Sequence, residues 1–346
     1  MNHYCTYFDR GFLPQGLALW ESLRQHDSSA VLWVLALDAE TKLALSHVPS
    51  DALRVVPLLS LEADDSALGV AKANRSRVEY YFTLTPCWLS WLLAHHPEIR
   101  LLTYLDADLF FFGSPLPLFS ALESSFANVL ITSHRLPRGL LHYERHGRYN
   151  VGVLSFRNDP TARACLDDWR ARCLEWCYDR LEDGKYADQK YLDAWPERLG
   201  NGLLVLDHPG VNLAPWNWVG HTLSVDNGRV TVDGEPLIIF HFAGLRRLGN
   251  ALWNSGQLDY GVMPRPIRTA IYGPYLSAVQ RAEAQLQITS LSRRKANISL
   301  VRWLFLIVFG AVWLRSGKEL RALGGGPWSK YSGSLLARIR GDSAPP

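Results

Sequence analysis

The stretch Leu101–Pro115, LLTYLDADLFFFGSP, decides how this chain is read. Leu101, Leu102, Tyr104 and Leu105 make an apolar run with the length and composition of a buried strand in a parallel sheet. The run stops on Asp106 and Asp108, and aromatics resume at Phe110, Phe111 and Phe112. Open α/β sheets bind their ligands beyond the carboxyl ends of the strands. Two acids one residue apart on an extended chain point towards the same side. Between apolar flanks they repel each other, and a cation between them removes the repulsion. The pattern predicts a divalent metal that holds a diphosphate.

The segments around that strand alternate in period. His3–Phe8 and Val31–Leu37 read as strands, and Pro14–His26 between them as a helix with Leu17, Trp20 and Leu23 at helical spacing. A long helix is expected from Arg77 to His95, and another strand at Val129–Thr132. This βαβ rhythm predicts an α/β fold with a doubly wound sheet flanked by helices. Further on, Arg148–Phe156 reads as extended, Pro160–Arg180 as a helix with Pro in its first turn, and Ala187–Trp195 as a short second helix. Asp226-Asn227-Gly228 marks a hairpin turn, and Pro236–His241 is an apolar strand that also ends on a metal-ligating residue type. The domain reading is a catalytic domain over 1–250, a helical extension over 251–290 and a separate C-terminal segment over 291–346.

Charge separates that last segment from the body. Ten of the 36 Lys and Arg residues, but only two of the 33 Asp and Glu, lie from Leu291 onward, so the body is mildly acidic although the chain carries +3 overall. A protein built for duplex nucleic acid would carry its basic excess on the folded body, so no nucleic-acid partner is expected. Basic residues flank the apolar run Trp303–Leu314, which is too short to span a bilayer as a helix, about 15 Å against about 30 Å. The reading is a basic, apolar helical appendage that lies on an anionic membrane surface, which implies a cytoplasmic protein peripheral to the membrane. Five cysteines without metal-site spacing and a polar start without a signal peptide fit reduced thiols packed in helices.

A bare D-x-D is weak evidence, but it has company. YCTYFDRGFLPQGLALWESLRQH (Tyr4–His26), YLDADLFFFGSP (Tyr104–Pro115), NVGVL (Asn150–Leu154), ADQ (Ala187–Gln189) and IFHFAG (Ile239–Gly244) follow one another in order. Over about residues 1–250 the chain resembles nucleotide-sugar glycosyltransferases of the GT-A fold, family 8 in particular. The resemblance implies a mixed sheet and a hexose transferred from a UDP-sugar, with retention, to a saccharide or glycolipid acceptor. It implies Asp106, Asp108 and His241 as ligands to Mn²⁺ or Mg²⁺, a choice that suits two hard oxygens and one imidazole. It implies Thr6 and Tyr7 at the nucleotide base. Asp106, Asn150, Gly152, Gly244 and Arg247 would lie along the donor, Arg247 standing where the family usually has Lys. Asp188 and Gln189 become the candidate catalytic residues, and Trp216 and Asn217 the acceptor side. Lys72, Arg75 and Arg77 form a basic cluster from which one residue could reach a phosphate. Two other readings stay open: a metal-dependent nucleotidyltransferase, and a membrane-associated, non-catalytic member of the fold.

Overall fold

The computed structural model describes residues 1–247, 252–255 and 260–286, together with the backbone of two strands at 312–316 and 319–323. Internal contacts divide the chain into two units, Met1–His208 and Pro209–Pro346.

The first unit runs β1 (Asn2–Phe8), α1 (Leu13–His26), β2 (Ala30–Ala36), α2 (Ala39–Ser46), β3 (Leu53–Pro57), α3 (Leu58–Asp64), α4 (Ser66–Asn74), α5 (Arg77–His95), β4 (Leu101–Leu105), β5 (Leu109–Phe111), α6 (Leu116–Glu123), β6 (Val129–Ser133), β7 (Tyr149–Arg157), α7 (Pro160–Glu175), α8 (Trp195–Leu199) and β8 (Leu203–Leu206). Seven strands form one sheet in the order β3-β2-β1-β4-β7-β6-β8. β1, β2, β3 and β4 run parallel, whereas β7 is antiparallel to both β4 and β6. This is the doubly wound mixed sheet flanked by helices expected from the sequence. Every residue of β2, AVLWVLA, is buried, as a strand covered by helices on both faces must be.

α5 shows why its sequence folds as it does. Ser76 and Glu79 form a reciprocal capping box that satisfies two orphan amides at the first turn. Tyr80, Leu84, Trp88 and Leu92 then recur every four residues and bury one stripe. That stripe belongs to a core shared with Trp169, Trp195 and Phe156, in which the Trp169 and Trp195 rings meet edge-on at 5.4 Å. Removing such an indole leaves a cavity that costs about 3–5 kcal/mol. All five cysteines are free and buried, in keeping with the packing role read from their spacing.

Several boundaries differ from those the sequence suggests. α7 stops at Glu175 rather than Arg180, because Trp176 turns extended and tertiary partners take its neighbours. The Tyr191 hydroxyl donates to the Trp176 carbonyl at 2.6 Å, and Arg75 lies over the Tyr178 ring. A turn with left-handed Asp183 and Gly184 follows. The short helix expected at Ala187–Trp195 is a 3₁₀ turn over Gln189–Ala194 that runs into α8.

In the second unit β9 (Leu223–Asp226) and β10 (Arg229–Val232) form the expected hairpin, with Asn227 and Gly228 left-handed in the turn. β11 (Glu235–Pro236) continues it. β12 (Ile239–His241) is shorter than the strand expected over Pro236–His241, since the Ile238 and Ile239 amides both turn to the Gly210 carbonyl. Gly210 permits this approach: a Cβ there would sit 2.0 Å from the Pro236 oxygen. β13 (Arg246–Arg247) and β14 (Leu252–Asn254) follow, then α9 (Arg265–Gln285), whose Tyr275 stacks on Phe242 with ring centroids 3.7 Å apart. β15 (Val312–Ser316) and β16 (Glu319–Leu323) extend the β13-β14 sheet. The helix expected over Trp303–Leu314 is thus corrected at its end, where antiparallel pairing with β14 and β16 makes residues 312–314 strand. Residues 303–311 of that expected helix lie outside the described residues. Among the described residues no helix is long and apolar enough to cross a membrane.

Candidate metal and donor site

β4 ends on Leu105, and the next amide, that of Asp106, donates to the Gly152 carbonyl of β7 at 3.0 Å. The Leu109 amide then turns back to the Asp106 carbonyl, so Asp106–Asp108 form a tight bend between two strands. Both carboxylates are half-buried. Tyr104, buried on β4, donates its hydroxyl to Asp106 Oδ1 at 2.8 Å and fixes that carboxylate. Asp106, Asp108 and His241 form a group that could hold a metal ion, since each offers one ligand atom and those atoms lie within 4.8 Å of one another. Two hard oxygens and one imidazole suit Mn²⁺ or Mg²⁺.

His241 is prepared by its own neighbours. Its ring meets Trp216 edge-on at 5.1 Å, and its Nδ1 lies 3.3 Å from Asn212 Oδ1. With that oxygen accepting, Nδ1 carries the proton and Nε2 keeps a lone pair, a form in which the ring can ligate a metal through Nε2. Asn212 is itself left-handed, and Asn217 braces the loop by donating to the Asn212 carbonyl and accepting from the Ala214 amide. Trp216 and Asn217, expected on the acceptor side, are both buried and support the loop beside His241. Asn212 ends the stretch His208–Asn212, which together with Trp216-Asn217-Trp218 resembles the acceptor-side region of family 8; its contact with residue 241 has no local signal in the sequence.

Asp188 is 5% exposed, and Thr85 of α5 donates to its Oδ2 at 3.0 Å. Burial, with the charge of Asp106 adding to it, pushes the Asp188 carboxyl up to about 7 against the hydrogen bonds it accepts. Next to it, Gln189 donates through Nε2 to the His146 carbonyl at 3.0 Å. Gly147 makes room for that side chain: its φ is +135°, and a Cβ there would lie 3.3 Å from Gln189 Cγ. Asn150 is buried and accepts from the Gly152 amide, which locks the N-x-G segment locally. Tyr7 reaches Thr85 at 3.0 Å and packs at 5.9 Å from the Tyr104 ring. Neither Thr85 nor Tyr104 announces itself in sequence, because a threonine on the buried face of a helix and a tyrosine inside a strand read as core.

Other candidates have different surroundings. The Thr6 carbonyl accepts from the Trp88 indole at 3.1 Å, and its hydroxyl is buried without a hydrogen-bond partner. Gly244 has a φ of +77° in an open turn, which a residue with a side chain rarely adopts. Arg247 pairs with Glu283 at 2.6 Å and lies over Trp253, so its guanidinium is already engaged. Of the basic cluster, Lys72 pairs with Glu62 and Arg75 is held by Thr83 and the Leu174 carbonyl. Arg77 is largely exposed and lies 3.9 Å from Asp9.

No family model matches the sequence. Two Bacillus subtilis (strain 168) proteins, both uncharacterized, do. YfnF is 36% identical over 249 residues, which span 70% of this chain and 81% of YfnF. YfnD is 31% identical over 288 residues, 82% of this chain and 91% of YfnD. The chain belongs to the YfnF/YfnD family. Among solved structures, similarity extends to the galactosyltransferase LgtC in complex with donor and acceptor sugar analogues (13% identity, 84% of this chain and 97% of that one, TM-score 0.47). It extends also to GlyE of Streptococcus pneumoniae TIGR4, a glycosyltransferase (12%, 86% and 66%, TM-score 0.46), and to mouse xyloside xylosyltransferase 1 (14%, 70% and 98%, TM-score 0.43). The YfnF/YfnD family thus has, in this chain, an α/β member with a group of residues that could hold a metal ion.

Proposed function

We propose that this chain is a metal-dependent glycosyltransferase that moves a hexose from a nucleotide-sugar, a UDP-sugar, to a saccharide or glycolipid acceptor with retention. The observation that carries the proposal is the grouping of Asp106, Asp108 and His241 at the carboxyl end of β4. Its companions are the ordered motifs at Tyr4–His26, Asn150–Leu154, Ala187–Gln189 and Ile239–Gly244, which resemble those of family 8. A divalent cation bound there supplies charge neutralisation on the departing diphosphate. The chain's own residues do the rest. Asp106 and Asp108 hold oxygen ligation at one strand end, and His241 presents a single lone pair. Thr6 and Tyr7 receive the base, Asn150, Gly152, Gly244 and Arg247 flank the donor, and Arg247 must leave Glu283 if it is to reach a phosphate. Asp188 accepts hydrogen bonds from donor hydroxyls, and Gln189 lies beneath the anomeric carbon. With no further carboxylate assigned as nucleophile, the acceptor attacks on the face the diphosphate leaves, and a diphosphate oxygen takes the acceptor proton. Trp216 and Asn217 take part through the loop that steadies His241. On charge alone, we add an anionic membrane surface as partner of 291–346.

The test is hydrolysis of a panel of UDP-sugars by the purified full chain, with Mn²⁺, Mg²⁺ or EDTA. Metal-dependent release of UDP from one donor, abolished by Asp106→Ala and by Asp108→Ala, is the expected result. A preference for nucleoside triphosphates would favour nucleotidyl transfer. Absence of metal-dependent nucleotide binding would favour a non-catalytic member of the fold.

A further inference from the structure

Trp216, buried against the His241 ring, presents no open face on which an acceptor sugar could stack. A row of rings stands instead beside Gln189. The 3₁₀ helix Arg138–His146 has no buried residue. Side chains three apart eclipse in such a helix, which brings Tyr143 over His146 with ring centroids 6.2 Å apart. The His146 ring meets Tyr186 edge-on at 4.6 Å, and the exposed His142 ring extends the row, 4.3 Å from Tyr143. Tyr143, His146 and Tyr186 are all half-buried. Burial holds the His146 imidazole below its usual value, so at neutral pH it joins the row as an uncharged ring.

The row is fastened to the residues that follow Asp188. Gln189 donates to the His146 carbonyl at 3.0 Å, Lys190 to the Glu144 carbonyl at 3.2 Å, and the Arg148 amide to Asp193 at 2.8 Å. Tyr186 is held by its hydroxyl, which donates to Asp179 at 2.7 Å. Rings and donor-site residues therefore share one hydrogen-bonded frame. Charge adds a second feature. Residues 138–148 carry three arginines against the single acid Glu144, on a body that is mildly acidic. Arg138, Arg145 and Arg148 are exposed, and among the described residues none of them forms an ion pair. Elsewhere in the unit Arg170, Arg172, Arg180 and Arg198 are all taken up by carboxylates. A guanidinium that is not so engaged has the fork geometry for a carboxylate or phosphate brought by a ligand.

We infer that the Arg138–Arg148 segment and Tyr186 form an acceptor-binding face for an acidic saccharide. The rings of Tyr143, His146 and Tyr186 lie against the C–H faces of its sugars, and Arg138, Arg145 and Arg148 pair with the carboxylate or phosphate groups the sugars bear. The role of that saccharide as acceptor rests on the proposed glycosyl transfer; its binding does not. Tyr186 is the decisive member. A basic loop alone would hold any polyanion, whereas a face built for sugars needs the rings as well as the charge.

The experiment measures binding of the purified full chain to an array of immobilised neutral, uronic-acid and phosphorylated oligosaccharides. Soluble tripolyphosphate, a polyanion without rings, serves as competitor. Acidic oligosaccharides should bind at least tenfold more tightly than neutral ones, and the array separates carboxylate from phosphate as the group recognised. Replacing Arg138, Arg145 and Arg148 together by Gln should weaken binding tenfold or more, with donor hydrolysis unchanged. Tyr186→Leu should weaken it as much, while Tyr186→Phe, which keeps the ring, should stay within threefold of wild type. The basic 291–346 segment is common to every variant, so it does not enter these ratios. Binding to no oligosaccharide, or a preference for neutral ones, overturns the inference. So does a loss confined to the arginine variant with tripolyphosphate competing as well as the sugar, which is polyanion adhesion only. Should Tyr186→Leu fail to fold, Tyr143→Leu takes its place. A chain that binds acidic saccharides but hydrolyses no donor loses the glycosyltransferase reading and keeps this face; donor hydrolysis without such binding does the reverse.

Discussion

Strand β1 carries a tyrosine near each end, and the two serve aspartates in opposite ways. At the amino end Tyr4 donates to Asp27, which also accepts from Asn2 and from the amide and hydroxyl of Ser29, all within 3.0 Å. Burial pushes that carboxyl up, but these hydrogen bonds outweigh burial and hold it below the ordinary carboxylate range. At the carboxyl end Tyr7 leads through Thr85 to Asp188, where burial wins and the carboxyl rises to about 7. One acid is saturated with donors and closes a helix onto a strand. The other is buried deeply enough that the hydrogen bonds it accepts do not offset the burial. Beside one strand, the balance between burial and hydrogen bonding thus sets one carboxyl below its ordinary range and the other above it.

The widest test of that contrast is at the acids of the cation group. Asp106→Ala or Asp108→Ala should lower metal-dependent donor hydrolysis by about 10²–10³-fold, the scale of losing a principal electrostatic stabiliser. Thermal unfolding should change by only a few degrees, because both side chains are half-buried at a strand end; calorimetry beside a UDP-release assay checks both halves. Asp27→Ala should do the reverse. It strands the buried Tyr4 hydroxyl, at about 1–3 kcal/mol, while the exposed Ser29 and half-buried Asn2 donors turn to water. Urea unfolding should register that loss while donor KM stays as it was.

Asp188→Asn sharpens the contrast further, since its two effects have opposite signs. A carboxyl whose pKa is raised on folding adds stability that is complete below the unfolded value near 4 and is lost as pH rises through about 7. The amide removes that penalty, so at pH 8 the variant should melt above wild type, by about 2–4 °C per kcal/mol recovered. At pH 4 the two melting curves should coincide, and donor hydrolysis by the variant should be impaired throughout. The smallest effect belongs to Asp27→Asn in an acid titration. A depressed folded-state pKa adds stability that is present above the unfolded value and lost as pH falls through the folded one. Wild type should therefore shed stability below about pH 4 more steeply than the variant.

Much of this was legible in the residues themselves. Apolar runs marked β1, β2, β4 and β6, and the four-residue stripe marked α5 from Arg77 to His95. The two acids after Leu105 stood out because nothing else explains charge between a buried strand and three phenylalanines. What stayed hidden depends on contacts across long stretches of chain. Thr85 meets Asp188 across 103 residues, and Asn212 meets His241 across 29, and neither has a local pattern to betray it. The end of α7 escaped for the same reason, since Tyr191 and Arg75 impose it from outside the helix. The C-terminal stretch misled by composition. Apolar residues between basic flanks read as a helix, while residues 312–314 pair as strand with Leu252–Asn254 upstream and with 321–323 downstream.

Position 147 sets a practical limit on redesign. Its backbone lies where side chains are rarely tolerated, and a methyl group there would lie a tight 3.3 Å from Gln189 Cγ. A library that randomises this site to change donor choice should return the parent residue, because a φ of +135° strains any residue with a side chain. Diversity is better spent on Leu141 and His142, which are exposed and leave that turn undisturbed.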